Sequence, residues 1–135
     1  MPRYLADTSA WMRSRHAADK WDDLVREDAL ALCVPVLLEL LYSARSKVDY
    51  ESLSSDLEGF PVLVLDERAT ALARRSQALL SARSQHRGPK PLDLLIAAIA
   101  EAHEAVLIHY DRHFDAIAHA TGQPVEWLAR RGSLD

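Results

Sequence analysis

The chain has 135 residues, 49% of them hydrophobic, a formal net charge of −4 at pH 7 and a pI near 5.8. This length suits one domain with a buried core, and no apolar run approaches the roughly 20 residues of a membrane-spanning helix. A single cysteine, Cys33, excludes an intrachain disulfide, and the N-terminus lacks a signal-peptide pattern, so we expect a cytoplasmic protein with no membrane partner.

Apolar runs and helix signals alternate in the first half of the chain. The predicted elements are a strand over residues 3–6, a short helix through Trp11 and Met12, a helix over 20–27, a strand over 30–34, a helix from Pro35 to the polar residues 43–47, and an amphipathic segment over 50–57. The first strand runs into Asp7-Thr8-Ser9, three residue types that are common at helix N-caps.

The second half repeats this alternation. The predicted elements are a strand over 61–65, a helix from 67 to about 84 capped by Asp66, a polar loop over 86–91, a helix over 92–103 opened by Pro91, a strand over 106–110, a helix over 113–121 ended by Gly122, and a final strand over 125–128. Strands that alternate with helices predict an α/β fold with a parallel sheet and helices on both faces. We therefore expect one α/β/α domain over residues 1–135 with a central parallel sheet of four to five short strands.

Four acidic side chains lie at the edges of these core elements. They are Asp7, Glu39, Asp93 and Asp111. Asp7 and Asp111 follow predicted strands, whereas Glu39 and Asp93 fall within about one turn of helices that begin with proline. Ligands of parallel α/β sheets bind beyond the carboxyl ends of the strands. Because a buried carboxylate is costly without a compensating charge, four that converge on this rim predict an acidic pocket that holds a cation.

A hard divalent cation is the compensation that such a pocket favours. Neighbouring carboxylates repel one another, and Mg²⁺ and Mn²⁺ prefer oxygen ligands while keeping several waters. Such an ion lowers the pKa of a bound water and stabilises the charged transition state of phosphodiester cleavage. Zinc is not indicated, because one cysteine and six dispersed histidines provide no pairs at the usual spacing.

Each acid also has a simpler structural interpretation. Asp7, Asp66 and Asp111 are plausible N-caps, and Asp93 would complement a helix dipole. For Asp66 we prefer the cap, whereas Glu39, flanked by apolar residues, is the hardest to explain structurally. The histidines that we interpret as packed or surface residues are His103, His109 and His119. We interpret the arginine pairs Arg74-Arg75 and Arg130-Arg131 as solvated helix faces. Together with Arg83 and Arg87 they leave nucleic-acid binding open despite the negative net charge.

In the order and spacing of its acidic motifs, the chain resembles the PIN-domain ribonucleases, specifically the VapC-type toxins of bacterial toxin–antitoxin pairs. The matching segments are Leu5-Ala6-Asp7-Thr8-Ser9-Ala10, Pro35-Val36-Leu37-Leu38-Glu39-Leu40, Leu92-Asp93-Leu94-Leu95-Ile96-Ala97-Ala98 and His109-Tyr110-Asp111-Arg112-His113-Phe114-Asp115. The resemblance implies an endoribonuclease that cleaves RNA phosphodiester bonds through a water activated by Mg²⁺ or Mn²⁺. The implied catalytic residues and metal ligands are Asp7, Glu39, Asp93 and Asp111, with Asp7 and Asp93 the most direct ligands. Thr8 or Ser9 would hydrogen-bond the first acid or a water on the metal.

One position departs from the pattern of this family. The family often has a further acid two residues after the fourth, and here that position is His113, which weakens the case for a second metal. Asp115 is close in sequence but is predicted on a different helical face, so we do not substitute it. The resemblance also implies a homodimer and a cognate VapB-like antitoxin that blocks the site with its C-terminal segment.

Three other functions fit parts of the sequence. A receiver-type phosphoacceptor domain needs a lysine after a late strand. It is disfavoured because none of the three lysines, Lys20, Lys47 and Lys90, follows the strand predicted over residues 106–110. A phosphatase with an Asp-x-Asp motif is disfavoured because Ser9 occupies the second acidic position. A catalytically weak or inactive PIN-like module that binds RNA or protein stays open because of His113. The RNA target is not specified, although single-stranded loops suit a recessed site.

Overall fold

Four short parallel strands form a central sheet in the computed structural model, which describes residues 3–135. The strands are β1 (Tyr4–Ala6), β2 (Leu30–Ala31), β3 (Val106–His109) and β4 (Val125–Trp127). Their order across the sheet is β2-β1-β3-β4, and Tyr4 pairs with both Leu30 and Val106. Because every pair is parallel, all carboxyl ends lie along one edge of the sheet.

Seven α-helices and one short 3-10 helix connect and cover these strands in the described part of the chain. They are α1 (Thr8–Met12), the 3-10 helix (Ser14–Ala17), α2 (Ala18–Arg26), α3 (Val34–Tyr42), α4 (Lys47–Leu57), α5 (Glu67–Ala82), α6 (Pro91–Ala102) and α7 (His113–Thr121). Asp7, Ser46 and Asp66 each accept a backbone hydrogen bond as side-chain N-caps. Because Ser46 supplies a cap, α4 begins at Lys47 and not at the predicted residue 50.

Successive residues of the two central strands face opposite sides of the sheet. Leu5 and Leu107 belong to a larger core built with α3 to α7, whereas Ala6 and Ile108 belong to a smaller core built with α1 and α2. The sheet therefore lies between two layers of helices, and the predicted α/β/α architecture is confirmed with four strands. Among residues 3–135, no helix is both long and apolar enough to cross a bilayer.

The strand predicted over residues 61–65 is wrong. Only one parallel bridge forms there, between Leu32 and Val62. The chain turns into α3 directly after Cys33, so the neighbouring edge offers no partner beyond Leu32. The Val64 carbonyl lies 2.9 Å from a ring nitrogen of His103, and the Val64 side chain is exposed. The apolar run therefore lies along the sheet edge and does not extend the sheet.

Candidate active site

The carboxyl ends of β1 and β3 place Asp7 and Asp111 at the same edge of the sheet. The Asp7 N–H donates to the carbonyl of Ile108 at 3.0 Å, which ties the two strand ends together. The Asp7 carboxylate then caps α1 by accepting the Ala10 N–H at 3.0 Å. The side chain is only 4% exposed, so capping and burial are combined in one residue.

Ser9 fixes the Asp7 carboxylate. Its hydroxyl lies 2.7 Å and 2.8 Å from the two carboxylate oxygens of Asp7, and its oxygen accepts the Tyr110 N–H at 2.8 Å. Ser9 thus joins the residue after β1 to the residue after β3. The predicted hydrogen bond between Asp7 and either Thr8 or Ser9 therefore comes from Ser9.

Thr8 serves a different acid. Its hydroxyl donates to Glu39 Oε1 at 2.6 Å, across 31 positions of sequence. Glu39 is half-buried and not enclosed by its apolar neighbours, because the adjacent Leu38 is 61% exposed. It is the sixth residue of α3, which begins at Val34, and so lies in the second turn of the helix, later than predicted. The Thr8 bond brings α3 to the edge where β1 ends.

Asp93 and Asp111 complete the acidic edge. Asp93 is the third residue of α6 and accepts the Lys90 N–H at 3.0 Å. Asp111 precedes α7 and accepts the His113 N–H at 2.9 Å, and its carboxylate lies 3.4 Å from His113 Nδ1. Both acids are half-buried, so each keeps contact with solvent while it meets a backbone donor.

The electrostatics connect all four acids. Burial raises the pKa of Asp7 from 3.8 to about 7, against hydrogen bonds from Ser9 and Ala10, and the charge of Asp93 adds to the rise. Burial also raises the pKa of Asp93, and the charges of Asp111 and Glu39 add to it, while the Lys90 hydrogen bond and His113 oppose it. Each predicted acid therefore raises the pKa of another or has its own pKa raised.

The donor set suits a hard divalent ion. Within residues 3–135, no three His, Cys, Asp or Glu side chains are arranged closely enough to chelate an ion together. Mg²⁺ needs only one or two direct carboxylates, since waters complete its octahedron. Burial is the main cause of both raised pKa values and the charges of neighbouring acids add to it, so a bound cation would stabilise the ionised carboxylates.

Two other predicted features behave as expected. Asp66 is exposed and caps α5 by accepting the Ala69 N–H at 2.8 Å. Asp115 is directed to Trp127, whose indole N–H donates to it at 3.1 Å, and not to the acidic edge. The cap interpretation of Asp66 and the separate helical face of Asp115 are therefore confirmed.

The sequence did not reveal the part played by His109. This side chain is fully buried, and burial lowers its pKa to about 4, so the ring is neutral at pH 7. Its Nδ1 accepts the Asp111 N–H at 3.1 Å, which positions the backbone that carries the fourth acid. The packed interpretation was confirmed, but this bond depends on how the chain turns after β3.

Arg13 is a second residue that the sequence did not single out. It lies four positions after Ser9, a spacing that puts both on one face of α1. One guanidinium nitrogen donates to the Ser9 carbonyl at 3.3 Å, and the group lies 5.0 Å from the centre of the Tyr110 ring. A cationic side chain therefore stands directly beside the acidic edge.

The PIN-domain family model matches residues 4–120. The chain belongs to the PIN-domain family. Ribonuclease VapC18 of Mycobacterium tuberculosis is 37% identical to it over 135 residues, with 97% of this PIN-domain chain and 98% of VapC18 covered. Ribonuclease VapC51 of the same organism is 41% identical over 135 residues, with 98% of each chain covered.

A solved structure shows the same PIN fold. A chain of the DNA-bound VapBC complex from Salmonella typhimurium superposes with a TM-score of 0.80. The superposition covers 96% of this chain and 100% of that one at 19% sequence identity, so it supports the fold alone. The family resemblance inferred from the four acidic motifs is confirmed.

Proposed function

We propose that this protein is a cytoplasmic, metal-dependent endoribonuclease and the toxin of a type II toxin–antitoxin pair. The observation that carries this proposal is that four acids from four elements lie along the carboxyl edge of one parallel sheet, where Glu39 and Asp111 raise the pKa of Asp93 and Asp93 raises that of Asp7. The ribonuclease names of relatives that match nearly the whole chain support the reaction class. The raised pKa of the buried Asp7 supports a requirement for a cation.

Asp7 and Asp93 are the proposed direct ligands of Mg²⁺ or Mn²⁺, and Glu39 and Asp111 are proposed to act through waters. The ion, when bound, would activate a water for attack on phosphorus and neutralise charge on the phosphate. Ser9 holds the Asp7 carboxylate in one orientation through contacts with both of its oxygens.

The other acids have supporting residues of their own. Thr8 occupies one oxygen of Glu39 and leaves the second to orient the attacking water. His109 accepts the Asp111 N–H and so fixes the backbone position from which the Asp111 carboxylate extends. A phosphate of single-stranded RNA reaches such a recessed edge more readily than one within a duplex.

An apolar groove beside Glu39 is the proposed seat of a VapB-like antitoxin. The groove has a volume of about 460 Å³ and runs from Thr8 and Leu92 to Tyr42. Leu38 and Tyr42 on its rim are 61% and 92% exposed. VapBC complexes among the structural neighbours support a partner of this kind. We propose that an antitoxin segment folds along the groove and the helices over residues 40–57, and that the toxin itself is a homodimer.

The antitoxin is proposed to place an Arg or Lys near the acidic edge. A guanidinium matches carboxylates in a bidentate fork, and the raised pKa values of Asp7 and Asp93 favour a cation there. Inhibition should therefore compete with the metal. A structure of the complex with every basic antitoxin residue remote from Asp7, Glu39 and Asp93 would contradict this mechanism, even if inhibition were observed.

The nuclease proposal is tested with purified protein and a labelled structured RNA. Cleavage is expected with Mg²⁺ or Mn²⁺, is expected to stop in EDTA, and is expected to return when the metal is restored. Asp93→Asn should retain the fold by circular dichroism but lose cleavage, because it keeps the side-chain shape without the charge. Full activity in EDTA, or a fully active Asp93→Asn, would refute the mechanism.

One observation supports a second candidate, a PIN-like module with weak or no catalysis. His113 lies 3.4 Å from the Asp111 carboxylate, at the position where the family often has another acid. When protonated, this ring competes with a cation for Asp111. The same cleavage assay distinguishes the two, because the module would bind RNA but cut it slowly or not at all at any metal concentration.

A further inference from the structure

A polar groove of about 350 Å³ opens beside the acidic edge, where α1, the start of α7 and the residues after β4 meet. Its principal lining residues are Arg13, Tyr110, Asp111, Arg112, Trp127 and Arg131. We call this feature the arginine groove. Three guanidinium groups in one groove contrast with the net charge of −4 on the whole chain. The proposed chemistry at the four acids does not use them.

Two of these guanidinium groups are held in place by aromatic rings. Arg13 lies 5.0 Å from the centre of the Tyr110 ring, and Arg131 lies 5.8 Å from the centre of the Trp127 ring. The Tyr110 and Trp127 rings pack edge to face with their centres 5.3 Å apart, and both rings line the groove. For Arg13 and Arg131, the ring contact therefore favours one orientation of the guanidinium before a ligand arrives.

None of the three arginines forms an ion pair within the described chain. Over residues 3–135, no carboxylate oxygen lies within 4.0 Å of a guanidinium nitrogen of Arg13, Arg112 or Arg131. Other surface cations do form such pairs, as Arg26 does with Asp23 at 3.0 Å. The donors of the arginine groove are thus left for an external anion, and phosphate oxygens match the guanidinium fork.

The acidic edge repels RNA, so binding needs attraction nearby. Arg13 donates to the carbonyl of Ser9, the residue that holds Asp7, and Asp111 itself lines the groove. We infer that the arginine groove binds a backbone phosphate of the RNA next to the one that is cleaved. This inference rests on the proposed ribonuclease function and adds a subsite to it. The groove recognises the backbone and leaves sequence selection to other contacts.

One acidic side chain opposes this binding. Asp135 also lines the groove, and the Leu134 N–H next to it donates to the Tyr110 hydroxyl at 2.8 Å. That bond holds the segment over residues 132–135 against the groove. The Asp135 carboxylate therefore repels a phosphate that enters, and its removal should tighten RNA binding while removal of an arginine should weaken it.

Binding is measured without cleavage, on the Asp93→Asn background, with a fluorescein-labelled single-stranded RNA at several KCl concentrations. Arg131→Gln and Arg112→Gln should each weaken binding roughly 5- to 20-fold. Each should also reduce the slope of log affinity against log salt by about 0.7, the value for one lost phosphate contact on a single strand. Arg131→Lys should keep that slope because it keeps the charge, and Asp135→Asn should tighten binding.

Arg26→Gln is the matched control. It removes an exposed arginine from the end of α2, near the amino edge of the sheet and opposite the acids. It should change neither affinity nor salt slope. Thermal melts of every variant check the fold, and we rely on Arg112 and Arg131 because Arg13 also bonds to the α1 backbone.

Cleavage kinetics then test whether the arginine groove contributes to RNA binding or to the chemical step. Arg131→Gln should raise KM by a similar factor with little change in kcat, since the groove binds and does not react. Wild-type affinity and salt slope in both arginine variants would overturn the inference, as would no measurable RNA binding by the Asp93→Asn parent. Arginine-dependent binding by a protein that never cleaves RNA would instead refute the proposed nuclease and leave the groove as an RNA-binding site.

Discussion

Replacing Asp7 by asparagine should stabilise the metal-free protein at pH 8 and have little effect near pH 4. The reason is that the Asp7 carboxylate is 4% exposed and burial raises its pKa from 3.8 to about 7. Asparagine fills the same volume and can still cap α1 through its oxygen, but it carries no charge to be desolvated. The substitution therefore removes a cost that appears only when the carboxyl group is ionised.

The magnitude and sign follow from the two pKa values. Below pH 3.8 the group is protonated in both states and costs nothing. As the pH rises towards 7, the unfolded chain ionises first and the free energy of unfolding falls; above 7 the full loss remains. A shift of about 3 units corresponds to about 4 kcal/mol. One contact to Ser9 is weakened in Asp7→Asn, at about 1 kcal/mol, so we expect a net gain of about 2–4 kcal/mol at pH 8.

Urea titrations in EDTA at several pH values between 4 and 8 measure this difference. Asp66→Asn is the matched control, because Asp66 caps α5 with the same geometry, accepting the Ala69 N–H at 2.8 Å, but is exposed. The control should follow the wild-type pH dependence within about 0.5 kcal/mol. A difference between Asp7→Asn and wild type that does not grow between pH 5 and 8 would refute the reasoning about buried charge.

The remaining predictions concern the metal, the fourth acid and the partner. Millimolar Mg²⁺ should stabilise the wild type against urea more than it stabilises Asp7→Asn, because the variant loses a proposed ligand; equal gains would remove Asp7 from the metal site. Asp111→Asn should impair RNA cleavage while Asp66→Asn leaves it near wild type, and equal rates in the two variants would contradict the placement of the fourth acid. Leu38→Glu should weaken antitoxin binding at least tenfold in titration calorimetry with cleavage retained, since it puts a charge on the rim of the apolar groove; unchanged affinity would place the antitoxin elsewhere.

The ends of β1 and β3 were readable from sequence to within one residue, and so were the acids that follow them. The strand predicted over residues 30–34 instead ends at Ala31, because α3 begins at Val34. An apolar run followed by residues suited to capping marks both the strand end and the start of the next helix, which places Asp7 and Asp111 at one edge. Pro91 marks the start of α6 equally well and puts Asp93 in its first turn. These are local signals, and tertiary packing did not alter them.

Contacts between distant segments could not be predicted in this way. Glu39 joins the edge through Thr8, 31 residues earlier, and no local pattern specifies that pairing. The run over residues 61–65 has the composition of a strand, but a strand needs a neighbouring strand to pair with. The neighbouring segment pairs only at Leu32, so a single bridge forms. The arginine groove likewise brings together residues from three separate segments, each of which resembles an ordinary solvated surface when it is considered alone.

The comparison of Asp7 with Asp66 explains why capping is not a sufficient account of the first acid. Both side chains accept the N–H three residues later, at 3.0 Å and 2.8 Å, so both satisfy the same helix start. Capping does not require burial, because Asp66 performs it while exposed. Asp7 is instead buried at an edge where Asp93 raises its pKa further, and Ser9 holds its charged form in one orientation. Capping alone therefore does not account for the burial of Asp7, and the proposed cation would offset the cost of its buried charge.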